Sequence, residues 1–239
     1  YGLQAKGLFG DDAPHMTIEE AAISCLAEIR QVQPKGPYLL GGFSGGGLTA
    51  WEIGQMLRAM GEEVALMVLL DTPLPVRPFL TKPDKAMIKL AEIRAGGPQF
   101  LAEWAKRRWE WERSRRATAA NEPDPTVPSY NNASIETAFR HAIGIYDLKG
   151  WDEGRVVLYR PPLDRRWKVT GGNWVSSARE YVYPDNLWTP FAPRLDVVEV
   201  PGDHDSMVLE PNVRVLAARM KAAIQAAEAG DLRQPDHRL

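Results

Sequence analysis

The most constraining feature of this 239-residue sequence is a glycine-rich turn, Gly42-Phe43-Ser44-Gly45-Gly46, which matches the pattern G-x-S-x-G. An apolar run of strand length, Tyr38-Leu39-Leu40, precedes it, and a segment of helical periodicity follows at residues 48–57. A chain that passes from strand to helix within so few residues forces its central residue into a strained conformation and needs glycine on either side. The motif therefore predicts a sharp turn that lifts the Ser44 hydroxyl out of a sheet.

This turn would place Ser44 at the amino end of a helix, where partial positive charge and free N–H groups favour a developing anion. We expect Ser44 to be a nucleophile and the amide of Gly45 to point at the oxyanion. A phosphate-binding loop is the alternative interpretation. Residues 41–47 lack both the G-K-[ST] ending of a P-loop and the spacing G-x-G-x-x-G, which favours the nucleophile.

Along most of the chain, apolar runs of strand length alternate with longer helical stretches, a pattern typical of a parallel sheet covered by helices. We therefore predict an α/β fold. The first helix begins at a capping box formed by Thr17 and Glu20. The predicted helices cover about residues 17–32, 48–57 and 213–227, and the predicted strands cover residues 38–40, 64–70, 155–159 and 195–200.

Between residues 71 and 155 the strand-like runs disappear, and two helical stretches replace them at about 85–116 and 134–146. We predict one domain over residues 1–239, with a helical lid insertion at about 76–150 and a polar tail at about 230–239. The first lid helix should break at Gly96-Gly97-Pro98. Phe100, Trp104 and Trp111 recur near one face of this helix and are candidates for substrate contact, although such a face more often packs on the main domain.

A serine nucleophile needs a base that accepts its proton and an acid that orients the base. Among the four histidines, only His204 follows a predicted core strand, in a turn where parallel-sheet proteins place reactive groups. Asp71 and Asp164 both follow strands and precede His204. We prefer Asp71 as the acid because it directly follows the strand next to that of Ser44, although it could simply form the turn before Pro73. Asp164 lies beside two arginines, as in a solvated turn.

Composition excludes several classes of function. The formal net charge of −2 gives no overall basic field for nucleic acid or an anionic membrane. The longest apolar run, residues 64–70, is far shorter than the roughly 20 residues that span a bilayer, and the first residues lack a secretory signal pattern. The single cysteine, Cys25, cannot form an internal disulfide. We expect a cytoplasmic protein without a metal site.

Three segments, GPYLLGGFSGGGLTAWEIGQML, VLLDTPLP and VEVPGDHDSMVLEPNV, resemble the type I thioesterase domains that end polyketide synthases and nonribosomal peptide synthetases. The segment YGLQAKGL resembles the one before the first helix of such domains. The likeness covers nearly the whole chain and is weakest from Arg77 to Asn132, in the family's lid. It implies the α/β-hydrolase fold, a mainly parallel sheet flanked by helices with a helical lid, and it places the family triad on Ser44, Asp71 and His204.

The resemblance also implies a reaction. An upstream acyl or peptidyl carrier protein would present a polyketide or peptide chain as a phosphopantetheine thioester, and Ser44 would accept the chain and release it by hydrolysis or macrocyclisation. No other cofactor is expected. A basic stretch of the predicted lid helix could dock an acidic carrier protein, or it could be an ordinary solvated helix face. This stretch contains Lys106, Arg107, Arg108, Arg113, Arg115 and Arg116.

One departure from the family concerns the second oxyanion donor. Such domains usually begin with an earlier strand and a His-Pro-x-Gly-Gly-like loop, which this sequence lacks. Either an upstream segment has been omitted or removed, or the site works with one donor fewer, at a cost on the order of 3 kcal/mol of transition-state stabilisation. We expect the first, because deleting a central strand would also expose unpaired backbone edges. Three other functions stay open: a small-molecule esterase or lipase, a stand-alone editing thioesterase, and an acyl-binding module without catalysis.

Overall fold

The structure, a computed structural model, describes residues 1–8, 12–75, 77–118, 132–152 and 154–230. Its helices are α1 (Ile18–Val32), α2 (Gly46–Ala59), α3 (Lys82–Thr118), α4 (Asn132–Ile145) and α5 (Val213–Glu228). Its strands are β1 (Tyr38–Phe43), β2 (Val64–Leu70), β3 (Arg155–Arg160), β4 (Trp167–Lys168), β5 (Trp174–Val175) and β6 (Leu195–Glu199). No helix in these ranges combines the length and apolar character needed to cross a bilayer.

Four of the strands form a parallel sheet in the order β1-β2-β3-β6. Their carboxyl ends therefore share one edge of the sheet. Both faces are covered, because Met67 and Leu69 of β2 pack in one core with α1 and α2, whereas Leu66 and Val68 pack in a second core with α5. This burial on both faces explains why β2 is apolar along its whole length. The predicted parallel sheet flanked by helices is confirmed.

Helix α1 begins where the capping box predicts. The Thr17 hydroxyl accepts a hydrogen bond from the Glu20 amide at 3.0 Å, and the Glu20 carboxylate accepts one from the Met16 amide at 2.9 Å. Two amides that the helix itself cannot satisfy thereby gain partners. Ile18, Ala22 and Leu26 then present one buried face to the core that α1 shares with α2.

The chain forms two compact units, and the first contains the parallel sheet. It comprises residues 1–77, 131–163 and 183–239, and the second comprises residues 78–130 and 164–182. This division differs from the predicted lid insertion at 76–150. Helix α4 belongs to the first unit, where Ala142 and the residue just after the helix, Tyr146, lie in the core. The second unit also includes the antiparallel pair β4 and β5.

The second unit is built around the first part of α3. The buried carboxylate of Asp84 accepts hydrogen bonds from the side chains of Thr81, Thr170 and Tyr181, and this ties the start of α3 to the segment that carries β4 and β5. Helix α3 breaks at Gly97, whose φ of 58° is left-handed, within the predicted Gly96-Gly97-Pro98.

Several predictions fall on parts of the chain that are not described. Phe100, Trp104 and Trp111 lie within α3, but their side chains are outside the described residues, so their contact with substrate stays a prediction. The same holds for most of the basic stretch, of which Lys106 is described and exposed. The tail from residue 231 onward also lies outside the described residues.

Candidate active site

Ser44 lies in the turn between β1 and α2, and its backbone is strained. Its φ of 51° lies in the left-handed region that a residue with a side chain rarely adopts. The Ser44 amide donates to the Leu70 carbonyl oxygen of β2 at 2.8 Å, and the Ser44 carbonyl oxygen accepts from the Gly47 amide at 3.1 Å. These bonds hold the turn between the sheet and the helix, so the surrounding structure maintains the strain.

The glycines of the motif differ in how closely neighbouring atoms surround them. A Cβ atom on Gly42 would lie 2.2 Å from the backbone carbon of Gly46, so only glycine fits there. For Gly46, the prediction that glycine is needed to avoid a collision is wrong, because a Cβ on Gly46 would have no heavy atom within 4 Å. The crowded position is instead Gly45, where a Cβ would lie 2.1 Å from the ring atom Cζ of Phe139 on α4.

We expect Gly45→Ala to lower the free energy of unfolding by about 1–3 kcal/mol, because the new methyl group overpacks against Phe139. Adding Phe139→Leu should recover part of this loss, so that the double variant is more stable than the sum of the single effects predicts. Gly46→Ala is the matched control and should cost less than about 0.5 kcal/mol. Urea unfolding of the four variants measures these values, and equal costs at positions 45 and 46 would contradict the steric account.

His204 is hydrogen-bonded on both sides of its ring. Its Nε2 lies 3.1 Å from the Ser44 hydroxyl oxygen, and its Nδ1 lies 2.8 Å from the carboxylate oxygen Oδ2 of Asp71. The His204 side chain is 42% exposed and that of Asp71 is 16% exposed. The structure thus brings together the three residues that the sequence analysis selected. A base placed between a hydroxyl and a partly buried carboxylate is the arrangement that activates a serine.

The loop that carries His204 is fixed by its own hydrogen bonds. The Ser206 hydroxyl accepts from the Asp203 amide at 2.9 Å and donates to the Asp203 carboxylate at 2.7 Å, and that carboxylate also accepts from the Ser206 amide at 2.8 Å. Gly202 before it has a φ of 103°. Asp203 therefore supports the loop, and among the hydrogen bonds of the described residues its carboxylate is bonded to Ser206 and not to the imidazole.

Asp71 is held at the carboxyl end of β2. Its amide donates to the Tyr159 carbonyl oxygen at 2.7 Å, and its φ of 44° is left-handed, as at Ser44. The other candidate acid, Asp164, lies in the second unit, where its carboxylate accepts hydrogen bonds from the amide and hydroxyl of Ser177. Among the hydrogen bonds of the described residues, His204 has a carboxylate partner in Asp71 and none in Asp164.

Two contacts at this site were not predicted from the sequence. Asn186 donates its side-chain amide to Oδ1 of Asp71 at 2.9 Å, and the ring of Phe43 stacks on the imidazole of His204 with 5.0 Å between ring centroids. Asn186 has a φ of 49°, a conformation that asparagine tolerates better than most residues. Asn186 lies far from any predicted strand end, so only a turn propensity marks it in the sequence.

The electrostatics of the site follow from these contacts. The pKa of His204 is raised, and the largest cause is the hydrogen bond to Asp71. The negative charges of Asp71 and Asp205 also raise this pKa, whereas burial and the positive charge of Arg77 lower it. Burial by itself would raise the pKa of Asp71. The hydrogen bonds from His204 and Asn186, with the charges of His204 and Arg77, outweigh burial and hold that pKa below its usual value. Asp71 therefore stays ionised and favours a protonated His204.

A base must be neutral to accept a proton, and this gives a prediction for pH. We expect the rate at which a fluorophosphonate modifies Ser44 to fall as pH drops through the raised pKa of His204. In Asp71→Asn this acidic limb should move to lower pH, because the variant lacks the charge that favours the imidazolium. Rate constants for modification measured across pH test both statements. If the acidic limb stays in place in Asp71→Asn, the conclusion that Asp71 raises the pKa of His204 is contradicted.

The Gly45 amide is available to an incoming group. It lies directly after Ser44 at the amino end of α2, and no hydrogen bond from it is formed to any described residue. An N–H group in this position can donate a hydrogen bond to a carbonyl oxygen on which negative charge develops. Within the described ranges, no three His, Cys, Asp or Glu side chains are grouped as metal ligands would be.

Comparison with known proteins agrees with the resemblance seen in the sequence. A family model described as a thioesterase domain matches residues 1–102. The non-reducing polyketide synthase PKS1 of Zymoseptoria tritici is 29% identical over 228 residues, which make up 94% of this chain and 10% of that protein. The chain thus spans about a tenth of this relative's length. The resemblance to thioesterase domains of such synthases is confirmed.

Solved structures show the same fold. A four-domain nonribosomal peptide synthetase is 26% identical, with a TM-score of 0.58 over 92% of this chain and 17% of that chain. The RedJ thioesterase of the prodiginine pathway in Streptomyces coelicolor is 17% identical, with a TM-score of 0.54 over 92% of this chain and 74% of that chain. These likenesses confirm the predicted α/β-hydrolase fold.

Proposed function

We propose that this protein is a serine thioesterase that terminates the synthesis of a polyketide or peptide, because it is related to the thioesterase domains of polyketide synthases and nonribosomal peptide synthetases. One observation carries the proposal: an unbroken series of hydrogen bonds from Ser44 through His204 to the partly buried carboxylate of Asp71. Ser44 and Asp71 both stand at positive φ, as does Asn186 beside them. Such strain concentrates at sites that act on a substrate.

The first half of the reaction transfers the acyl chain to the protein. Nε2 of His204 accepts the proton of the Ser44 hydroxyl while the oxygen attacks the thioester carbonyl carbon. The carbonyl oxygen becomes an anion and accepts a hydrogen bond from the Gly45 amide. The carbon–sulfur bond then breaks, and the departing thiolate takes the proton from His204. The products are a Ser44 ester and a free pantetheine thiol.

The second half releases the chain. His204, neutral again, accepts a proton from water, or from a hydroxyl or amine of the bound chain, as that group attacks the ester carbon. The carbon–oxygen bond to Ser44 breaks and His204 returns the proton to the serine. Water yields an acid, whereas a hydroxyl or amine of the chain closes a ring. Asp71 stays ionised throughout and stabilises the imidazolium in both halves.

The proposed partner is an acyl or peptidyl carrier protein that presents the substrate on phosphopantetheine. Support comes from the relatives, such as the polyketide synthase PKS1 of Zymoseptoria tritici, of which this chain covers 10%. No other cofactor enters the proposed chemistry, since both half-reactions use only side chains, one amide and the acceptor. Hydrolysis of small oxygen esters by the same residues is the competing activity.

A matched pair of substrates separates thioesterase from esterase. We expect octanoyl-pantetheine to be hydrolysed with a higher kcat/KM than the analogue in which oxygen replaces the thioester sulfur, and both activities to be lost in Ser44→Ala. Faster turnover of the oxygen ester would indicate an esterase. Binding of octanoyl-pantetheine without turnover, and without modification of Ser44 by a fluorophosphonate, would indicate an acyl-binding module and overturn the proposal.

A further inference from the structure

Phe43, the residue before Ser44, covers one face of the His204 imidazole. The two ring centroids are 5.0 Å apart and the ring planes differ by 27°, which is a stacked arrangement. Phe43 is also anchored in the protein, since it packs partly buried against the core that contains Tyr159 and Val198. The strained turn that exposes Ser44 therefore also delivers an aromatic face to the imidazole.

This contact supplies a restraint that the two hydrogen bonds of His204 do not. The bonds to Ser44 and Asp71 fix the two ring nitrogens, but the imidazole plane could still tilt about the line that joins them. The His204 side chain is 42% exposed, so burial gives only part of the missing restraint. A ring stacked on one face blocks the tilt and keeps the Nε2 lone pair directed at the hydroxyl.

The stacked ring of Phe43 can also stabilise the charged form of the imidazole. The charged groups that act on His204 are Asp71 and Asp205, which favour the imidazolium, and Arg77, which opposes it. The face of an aromatic ring carries partial negative charge and attracts a cation held over it. Phe43 is uncharged, so its contribution can be removed without changing the formal charge of the site.

We propose that Phe43 is a positioning residue for His204: its stacked ring fixes the tilt of the imidazole and stabilises the imidazolium that forms when Ser44 reacts. The inference rests on the proposed function only in that His204 is the base for Ser44. It gives a role to the variable second position of the G-x-S-x-G motif, where an aliphatic residue would pack against the core but could not stack.

The test compares Phe43→Leu with Phe43→Tyr and with Phe191→Leu. Phe191 is a partly buried phenylalanine of the other core, so its leucine variant has the same loss of ring packing without the imidazole contact. The readout is the second-order rate constant for modification of Ser44 by a fluorophosphonate across pH, together with thermal unfolding of each variant. This readout needs no knowledge of the natural substrate.

We expect Phe43→Leu to slow the modification about tenfold at pH values above the acidic limb and to shift that limb to lower pH, because the leucine does not favour the imidazolium. Phe43→Tyr should restore both the rate and the limb, and Phe191→Leu should change neither. If Phe43→Leu matches Phe191→Leu in rate and limb, the inference is overturned while the proposed function stands. If the wild-type protein is not modified at Ser44, the proposed function itself fails.

Discussion

Replacing Ser44 with alanine is expected to lower kcat on octanoyl-pantetheine by roughly 10⁴-fold to 10⁶-fold, because the variant keeps the Gly45 amide but has no atom that can form the acyl ester. KM should change little, since the hydroxyl contributes more to the reaction than to binding. Steady-state kinetics measure both parameters. Ser24→Ala, a partly exposed position on α1, is the matched control and should keep wild-type kinetics.

A Ser44→Ala variant that retains more than a few per cent of wild-type kcat would show that the acyl chain reaches water without passing through this serine. Circular dichroism should show the same secondary structure in Ser44→Ala and in the control Ser24→Ala. Alanine should be tolerated at position 44, because the hydroxyl's hydrogen bond in the described structure is the one to His204.

Replacing Asp71 with asparagine should lower kcat by about 10⁴-fold. The amide of asparagine can donate to Nδ1 of His204, which leaves the proton on Nε2, facing Ser44, where a lone pair is needed. The protein should stay folded, because the Tyr159 carbonyl bond to the residue 71 amide does not involve the side chain. Measurements of kcat across pH should find the loss at every pH at which the wild type is active.

Asp164→Asn is the control that distinguishes the two acids considered from the sequence. It removes the same charge from a carboxylate that is bonded to Ser177 in the second unit, so kcat should stay within about twofold of wild type, a change below 0.5 kcal/mol. If Asp164→Asn abolished activity and Asp71→Asn did not, the hydrogen bond between Asp71 and His204 would be irrelevant to catalysis.

The sequence predicts the centre of this fold well for a physical reason. β2 is buried on both faces, so it is apolar throughout, and the limits of its apolar run are the limits of the strand. Ser44, Asp71 and His204 each follow a core strand, and parallel strands bring their carboxyl ends to one edge. Their convergence could therefore be predicted although His204 lies 160 residues after Ser44.

The contacts that complete the site could not be predicted in this way. Asn186 reaches Asp71 from a turn 115 residues away, and Phe139 reaches Gly45 from a helix that the sequence pattern assigns to the lid. Both contacts depend on how irregular segments fold back over the sheet, and neither hydrophobic periodicity nor a motif encodes that path. The periodicity of α4 shows that it has an apolar face but does not show which unit receives it.

Gly46 shows the converse limit. The motif predicts that a side chain at position 46 would collide with its neighbours, yet the space there is open. The positions at which a Cβ atom would collide are Gly42 and Gly45. A pattern of residue types thus identifies the turn correctly, while the atom that crowds each position depends on tertiary neighbours such as Phe139.

The central claim is that Ser44 carries the acyl chain as an ester during the reaction. Intact-protein and peptide mass spectrometry after rapid acid quenching of the protein with octanoyl-pantetheine tests it most directly. The account predicts an octanoyl adduct on the peptide that contains Ser44, absent from Ser44→Ala and accumulating in His204→Ala only at a greatly reduced rate. An adduct on another residue, or turnover of octanoyl-pantetheine during which no adduct is detected on Ser44 at any time point, would contradict it.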